Sequence, residues 1–136
     1  MMNVLFSAKL AGRNTVFRNK RKSGEFYEAM AETFLNRHGL SLLEKNFNTK
    51  VGEIDLIMQE GSTIVFIEVR YRSHQRFGHA AETVTQTKMN KIIKAAHQWL
   101  MKQSKSVHST DIRFDVIAMH EHGDQIDWIK NAIIEG

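Results

Sequence analysis

Two hydrophobic periods alternate along this chain. From Glu25 to His38 the apolar residues Phe26, Ala29, Met30, Phe34 and Leu35 recur at helical spacing, and Gly39 supplies the left-handed residue on which helices commonly end. Leu40 to Thr49 reads as a first strand, leading through Lys50-Val51-Gly52 into the apolar run Glu53 to Met58. A further run covers Ile64 to Arg70, and helical spacing returns over Gln86 to Gln103 with Met89, Ile92, Ile93, Ala96, Trp99 and Leu100. Two closing strands, Arg113 to Met119 and Gln125 to Ile129, flank the polar stretch His120 to Asp124. The order αβββαββ predicts an α/β domain whose mixed central sheet is flanked by helices that bury both of its faces. A polar loop from Tyr71 to about Thr85, carrying His74, Arg76, Phe77, Gly78 and His79, separates the third strand from the second helix. Loops of that length are usually functional or disordered, and this one is a candidate substrate clamp or a surface connection.

The second and third strands are joined by Gly61-Ser62. If that pair forms the two-residue loop, with glycine first as a type II′ turn prefers, paired positions sum to a constant that sets Asp55 opposite Glu68 and Glu53 opposite Arg70. Alternation then puts Ile54, Leu56, Met58, Val65, Ile67 and Val69 on one face. Glu53, Asp55, Ile57, Phe66, Glu68 and Arg70 share the other. Like charges directly opposite one another destabilise a sheet, and close carboxylates in a desolvated place resist double ionisation. A divalent cation would neutralise them. Magnesium takes oxygen ligands, typically one or two carboxylates with waters and phosphate oxygens, and such sites serve phosphodiester chemistry. The alternative is a solvated sheet face with an ordinary Glu53–Arg70 ion pair, against which Ile57 and Phe66 argue, because a face that carries them should be covered.

Charge narrows the reading. The 136 residues carry a formal net charge of +4 and 42% hydrophobic residues, enough for one ordinary core. Residues 1–23 hold Lys9, Arg13, Arg18, Lys20, Arg21 and Lys22 without an acid, so their +6, taken from +4, leaves −2 for residues 24–136. The expected organisation is a basic, flexible arm over 1–23 and one domain over 24–136. The arm either adds salt-sensitive contacts to nucleic acid or is a poorly ordered extension. With no cysteine, disulfides and thiolate zinc sites are excluded, and no apolar run approaches the roughly 20 residues a membrane helix needs. The histidines lack the two-ligand helical spacing of zinc proteases, His120-Glu121-His122 lacks a spaced third ligand, and neither a glycine-rich phosphate loop nor a nucleophilic serine motif is present. Lys88, Lys91 and Lys94 give the second helix a basic flank, which is either its solvated face or a phosphate contact.

Gly52-Glu53-Ile54-Asp55-Leu56-Ile57 followed by Phe66-Ile67-Glu68-Val69-Arg70-Tyr71-Arg72 resembles the bacterial YraN-like family, UPF0102. Glu28-Ala29-Met30-Ala31, Gly39, Asn46, Lys88, Arg113 to Ala118 and Trp128 to Ala132 extend the resemblance over about residues 24 to 132. Its members are similar in fold to the PD-(D/E)xK nucleases, which include Holliday-junction resolvases. The resemblance implies a restriction-endonuclease-like core and a metal-dependent endonuclease acting on DNA, on branched or repair intermediates, with magnesium or manganese as cofactor. Asp55 and Glu68 would then be metal ligands with Glu53 completing the shell. Arg70 stands at the motif lysine position, Glu28 resembles the helix-one glutamate of the resolvase branch, and Arg72, Gln86, Lys88 and Lys91 would contact nucleic acid. Ile54 replaces the name-giving proline. Arginine stays charged above about pH 12, so Arg70 is no general base, though its planar fork suits a phosphate oxygen. The competing readings are a catalytically silent nucleic-acid-binding module and a non-enzymatic partner protein. The resemblance and the absence of an export signal imply a cytoplasmic location without membrane contact, and the resolvase branch implies a homodimer, for which the Gln125 to Ile129 strand is a candidate edge.

Overall fold

The structure is a computed structural model that describes residues 20–72, 85–120 and 123–132. The elements are α1 (Lys20–Arg37), β1 (Ser41–Asn48), β2 (Glu53–Glu60), β3 (Thr63–Arg72), α2 (Gln86–Lys102), β4 (Ile112–His120) and β5 (Gln125–Ile129). The predicted αβββαββ order is therefore observed. Two boundaries move. Helix α1 is already formed at Lys20, the first described residue, upstream of the Glu25 at which the sequence pattern starts it; Lys20, Arg21 and Lys22 are good helix formers. Strand β3 runs on through Tyr71 and Arg72, which the sequence pattern assigned to the following loop. Residues 1–19 of the predicted arm, residues 73–84 with His74, Arg76, Phe77, Gly78 and His79, and Glu121-His122 lie outside the described residues.

The strands form one sheet in the order β1-β2-β3-β4-β5. Short turns join β1 to β2 and β2 to β3, whereas β3 and β4 are parallel and need a crossover, which α2 provides. Gly39 (φ 95°) ends α1 as predicted, with Leu40 N–H donating to Leu35 O at 3.1 Å. Thr85 caps α2, its hydroxyl accepting from Lys88 N–H at 3.2 Å.

Each helix covers one face. Tyr27, Met30, Ala31 and Leu35 of α1 pack on Leu56, Met58, Val65, Ile67, Ile117 and Met119. Ile92, Ala95, Ala96, Trp99 and Leu100 of α2 pack on Phe47, Ile54, Ile57, Phe66, Phe114 and Val116. Both faces of the central strands are thus desolvated, and any polar group on them must be paired or have chemical use.

The β2–β3 hairpin keeps the predicted register. Gly61 alone in the turn has a positive φ (60°), as a glycine-first type II′ turn requires, and the ladder runs from Glu60↔Thr63 to Leu56↔Ile67. It stops there, so the Asp55–Glu68 and Glu53–Arg70 pairings expected from the sequence do not form as ladder pairs. The predicted face of Ile54 is also wrong: Ile54 joins Ile57 and Phe66 under α2, while Leu56 lies under α1. Between Ile54 and Leu56 the strand skips one step of its alternation at Asp55.

Strand β1 skips at the same place. Lys45 reaches α1 through Glu32 at 3.0 Å, Phe47 packs under α2, and Asn46 between them is left-handed (φ 51°). The Cα register is unbroken across this place, Lys45↔Leu56 and Phe47↔Ile54, and its one shift lies earlier, between Leu42 and Glu44. Both strands therefore change face together at Asn46 and Asp55, and asparagine is among the few residues that tolerate this backbone.

A candidate metal and phosphate site

The double face change frees Asp55 from the ladder. Its Oδ2 accepts the Val69 N–H at 2.8 Å, standing in for the backbone acceptor that β2 no longer supplies. Strand β3 alternates regularly, so Glu68 points to the α2 face, where it is 3% exposed. The Arg70 guanidinium donates to Glu68 Oε2 at 3.2 Å, and Lys88 Nζ of α2 lies 3.8 Å from the same oxygen. Glu68 Oε1 is buried without a hydrogen-bond partner.

These groups line a cavity of about 430 Å³ that also takes in Glu28 and Glu53. Burial first, then the neighbouring Asp55 charge, pushes the Glu68 carboxyl up to about 7, although Lys88 and Arg70 pull it down. Burial likewise raises Asp55, and Glu53 adds to this, while the Val69 N–H opposes it. The pair resists losing both protons. Glu28 is raised to about 7, again chiefly by burial and then by Asp55; the Asn46 side chain, hydrogen-bonded to it, works the other way. Four carboxyl groups thus face one cavity, three of them displaced toward neutrality, which is the electrostatic pattern of a site awaiting positive charge.

Of the residues singled out in the sequence, Glu28, Glu53, Asp55, Glu68, Arg70 and Lys88 are brought together at this cavity. Arg72 lies partly buried at the end of β3, Lys91 is exposed one turn beyond Lys88, and Gln86 is exposed with its amide donating to Asn90 Oδ1 at 3.0 Å. His38 contacts the Phe34 carbonyl at 2.7 Å and buried His120 lies 3.9 Å from Asp127 Oδ2, both outside the cavity. The sequence reading missed Tyr27 and Tyr71, whose stacked rings (4.0 Å between centroids) form one wall. Burial, reinforced by Tyr71, raises the Tyr27 hydroxyl well above its ordinary value, so it stays protonated. Tyr71 could have been found by extending the β3 alternation two residues. Asn46, in the sequence a family position without a role, makes the face change and bonds Glu28.

Among the described residues no three His, Asp or Glu side chains converge closely enough to enclose a metal ion by themselves. The donor set instead suits a hard cation that takes one or two carboxylates and completes its shell from elsewhere: Asp55 and Glu68 are adjacent, reluctant to ionise together, and Glu68 Oε1 lacks any donor.

A five-stranded mixed sheet in αβββαββ order with one helix on each face is the restriction-endonuclease-like architecture. Residues 27–119 match the family described as "Uncharacterised protein family UPF0102". A UPF0102 protein of Vibrio cholerae serotype O1 is 54% identical over 121 residues, covering 89% of this chain and 99% of that protein. One of Vibrio campbellii is 54% identical over 118 residues, covering 87% and 97%, and one of Aliivibrio fischeri is 51% identical over 118 residues, covering 87% and 96%. The chain belongs to the UPF0102 family. No helix among the described residues is long and apolar enough to cross a membrane.

Proposed function

We propose that this protein is a metal-dependent endonuclease of the PD-(D/E)xK type acting on DNA phosphodiester bonds, with branched or repair intermediates as the substrate class. The observation that carries the reading is Glu68, a buried carboxylate close enough to Asp55 to share a proton with it, with one oxygen to which no basic or backbone group donates.

Asp55 and Glu68 would hold the magnesium or manganese ion, with Glu53 at the cavity rim. Bound there, the ion would polarise the phosphoryl group and offset the charge of the carboxylate pair. The chain's own residues supply the rest. Arg70, permanently charged, holds Glu68 and presents donors to a phosphate oxygen. Lys88 brings a lysine to the acid pair from helix α2 rather than from the strand, where it stabilises charge that develops on the phosphate. Glu28, near neutrality, is placed to exchange a proton across the cavity from Asp55.

The test is incubation with single-stranded, duplex, flap and four-way-junction DNA in magnesium, manganese or EDTA. Cleavage is expected to need metal and to fall by at least about 100-fold in Asp55→Ala and Glu68→Ala, the upper end of what losing a mere outer-shell partner costs. Wild-type-like cleavage by both folded variants refutes the site. One observation favours a second reading, a nucleic-acid-binding module without chemistry: Arg70 occupies the strand position where the motif has a titratable lysine. DNA binding without cleavage under every metal condition selects it.

A further inference from the structure

Helix α2 carries Lys88, Lys91, Lys94 and Lys102 and not one Asp or Glu, in a domain whose residues 24–136 sum to −2. Helix surfaces normally interleave acids with lysines at three- and four-residue spacing, because like charges there repel. Here Lys88, Lys91 and Lys94 follow one another at three-residue steps along one flank. Lys88 lines the cavity, whereas Lys91 and Lys94 are exposed and pair with no carboxylate among the described residues.

A second element is pressed onto this flank. The backbone of Gly52, in the β1–β2 turn, packs so closely on α2 that a Cβ there would lie 2.8 Å from the Lys91 carbonyl oxygen and 3.0 Å from Lys91 Cβ. Only glycine fits. The turn is stiffened by Thr49, whose hydroxyl donates to Gly52 O at 2.8 Å and accepts from Val51 N–H at 3.1 Å and Gly52 N–H at 3.0 Å. Lys50 sits in this rigid turn, exposed and likewise without a carboxylate among the described residues. The next residue after Gly52 is Glu53, already at the cavity rim. A basic surface therefore starts at Lys88 inside the cavity and leaves it over the Gly52–Lys91 contact.

We propose that the Thr49–Gly52 turn and the lysine flank of α2 form a clamp on the DNA backbone next to the Asp55–Glu68 cavity, with Lys50 and Lys91 as its central phosphate contacts. The inference rests on the nucleic-acid reading of the cavity and deepens it. Lys88 to Lys94 spans six residues, about 9 Å of helix, and phosphates advance about 3.4 Å per nucleotide on one strand of a duplex. The clamp thus reaches two to three nucleotides past the bond at the cavity. Gly52 fixes the distance between its two halves.

Binding of a fluorescein-labelled duplex, measured by anisotropy in EDTA over a series of KCl concentrations, separates the clamp from the chemistry. Removing one lysine that neutralises a phosphate should reduce the slope of log Kd against log salt by about 0.9, so Lys50→Ala/Lys91→Ala should reduce it by about 2. Gly52→Ala, which removes no charge, should also weaken binding. Lys130→Ala should leave the slope unchanged, since Lys130 lies over the Trp128 ring at 4.4 Å, just after β5, the edge strand farthest from the β1–β2 turn. A wild-type slope in the double variant, or an equal loss in Lys130→Ala, overturns the clamp even if the protein cuts DNA. Loss of slope confined to the double variant supports it even if no DNA is cut. Failure of the wild type to bind duplex overturns it outright.

Discussion

Asp115 and Glu68 stand one register step apart on adjacent parallel strands, β4 and β3, and face opposite sides of the sheet. Both are buried, at 0% and 3% exposure. Around Asp115 the protein has filled the oxygens: Arg113 approaches with Nε at 3.0 Å and Nη2 at 2.9 Å, Trp128 Nε1 donates at 2.9 Å and Asn131 N–H at 2.8 Å. Arg113 in turn reaches Glu60 at 2.8 Å, so the network ties β2, β4, β5 and the segment after β5 together. Around Glu68 two cations crowd one oxygen, and no basic or backbone group donates to the other, which has only the neighbouring Asp55 carboxyl for company. A carboxylate that serves the fold consumes its own donors. Under the proposed function, Glu68 leaves part of its bonding capacity for the cation and the phosphate.

The two carboxylates should part most widely when Asp115 is removed. Asp115→Ala strips Arg113 of its main partner and leaves donors unmet, and should cost about 3–5 kcal/mol in urea unfolding; a loss under about 1 kcal/mol would show the network to be incidental. Glu68 should respond in the opposite sense. Its carboxyl is raised from 4.5 to about 7 in the folded state, so the associated stability is present below about pH 4.5 and lost as pH rises through 7. The loss is on the order of 3 kcal/mol. Glu68→Gln, which mimics the protonated form, should therefore unfold at higher urea than wild type at pH 8 in EDTA and match it near pH 4.5. A variant that is less stable at pH 8 would make Glu68 a structural residue like Asp115. The smallest effect concerns the β1 backbone opposite Asp55 on the Glu68 side of the comparison: Asn46→Ala should lose about 1–2 kcal/mol to left-handed strain, and Asn46→Gly clearly less. Equal losses would mean that the left-handed turn is not what matters.

Most of this frame is legible in the sequence alone. The seven elements of the described residues follow from hydrophobic period, the end of α1 from Gly39, and the hairpin register from Gly61-Ser62, because each signal is local. Asp55 and Glu68 are legible as a pair because the hairpin arithmetic sets them opposite each other. The way they meet is not. The face change at Asn46 and Asp55 leaves the residue count of both strands intact, so nothing in the alternation of β1 or β2 announces it until packing shows Ile54 beside Ile57. The Asp115 network is hidden for another reason: Trp128, Asn131 and Glu60 approach it from 13, 16 and, through Arg113, 53 positions away. Lys88 is set apart from Lys91 and Lys94 by the family resemblance, and the seat of α2 adds its approach to Glu68 at 3.8 Å.

The paired skip at Asn46 and Asp55 makes the location of the site a matter of counting. Because strand side chains alternate, removing one residue between Glu44 and Phe47, past the register shift at Leu42/Glu44, would hand every position on one side of the gap to the wrong face. Phe47 would leave the α2 core, and Asp55 would lose the distortion opposite it that turns its carboxylate toward Glu28. Substitutions in this corner should be absorbed with graded losses, but a change in length should not. Insertions and deletions among natural variants are accordingly expected to avoid residues 44–55 while remaining admissible in the connection after Arg72.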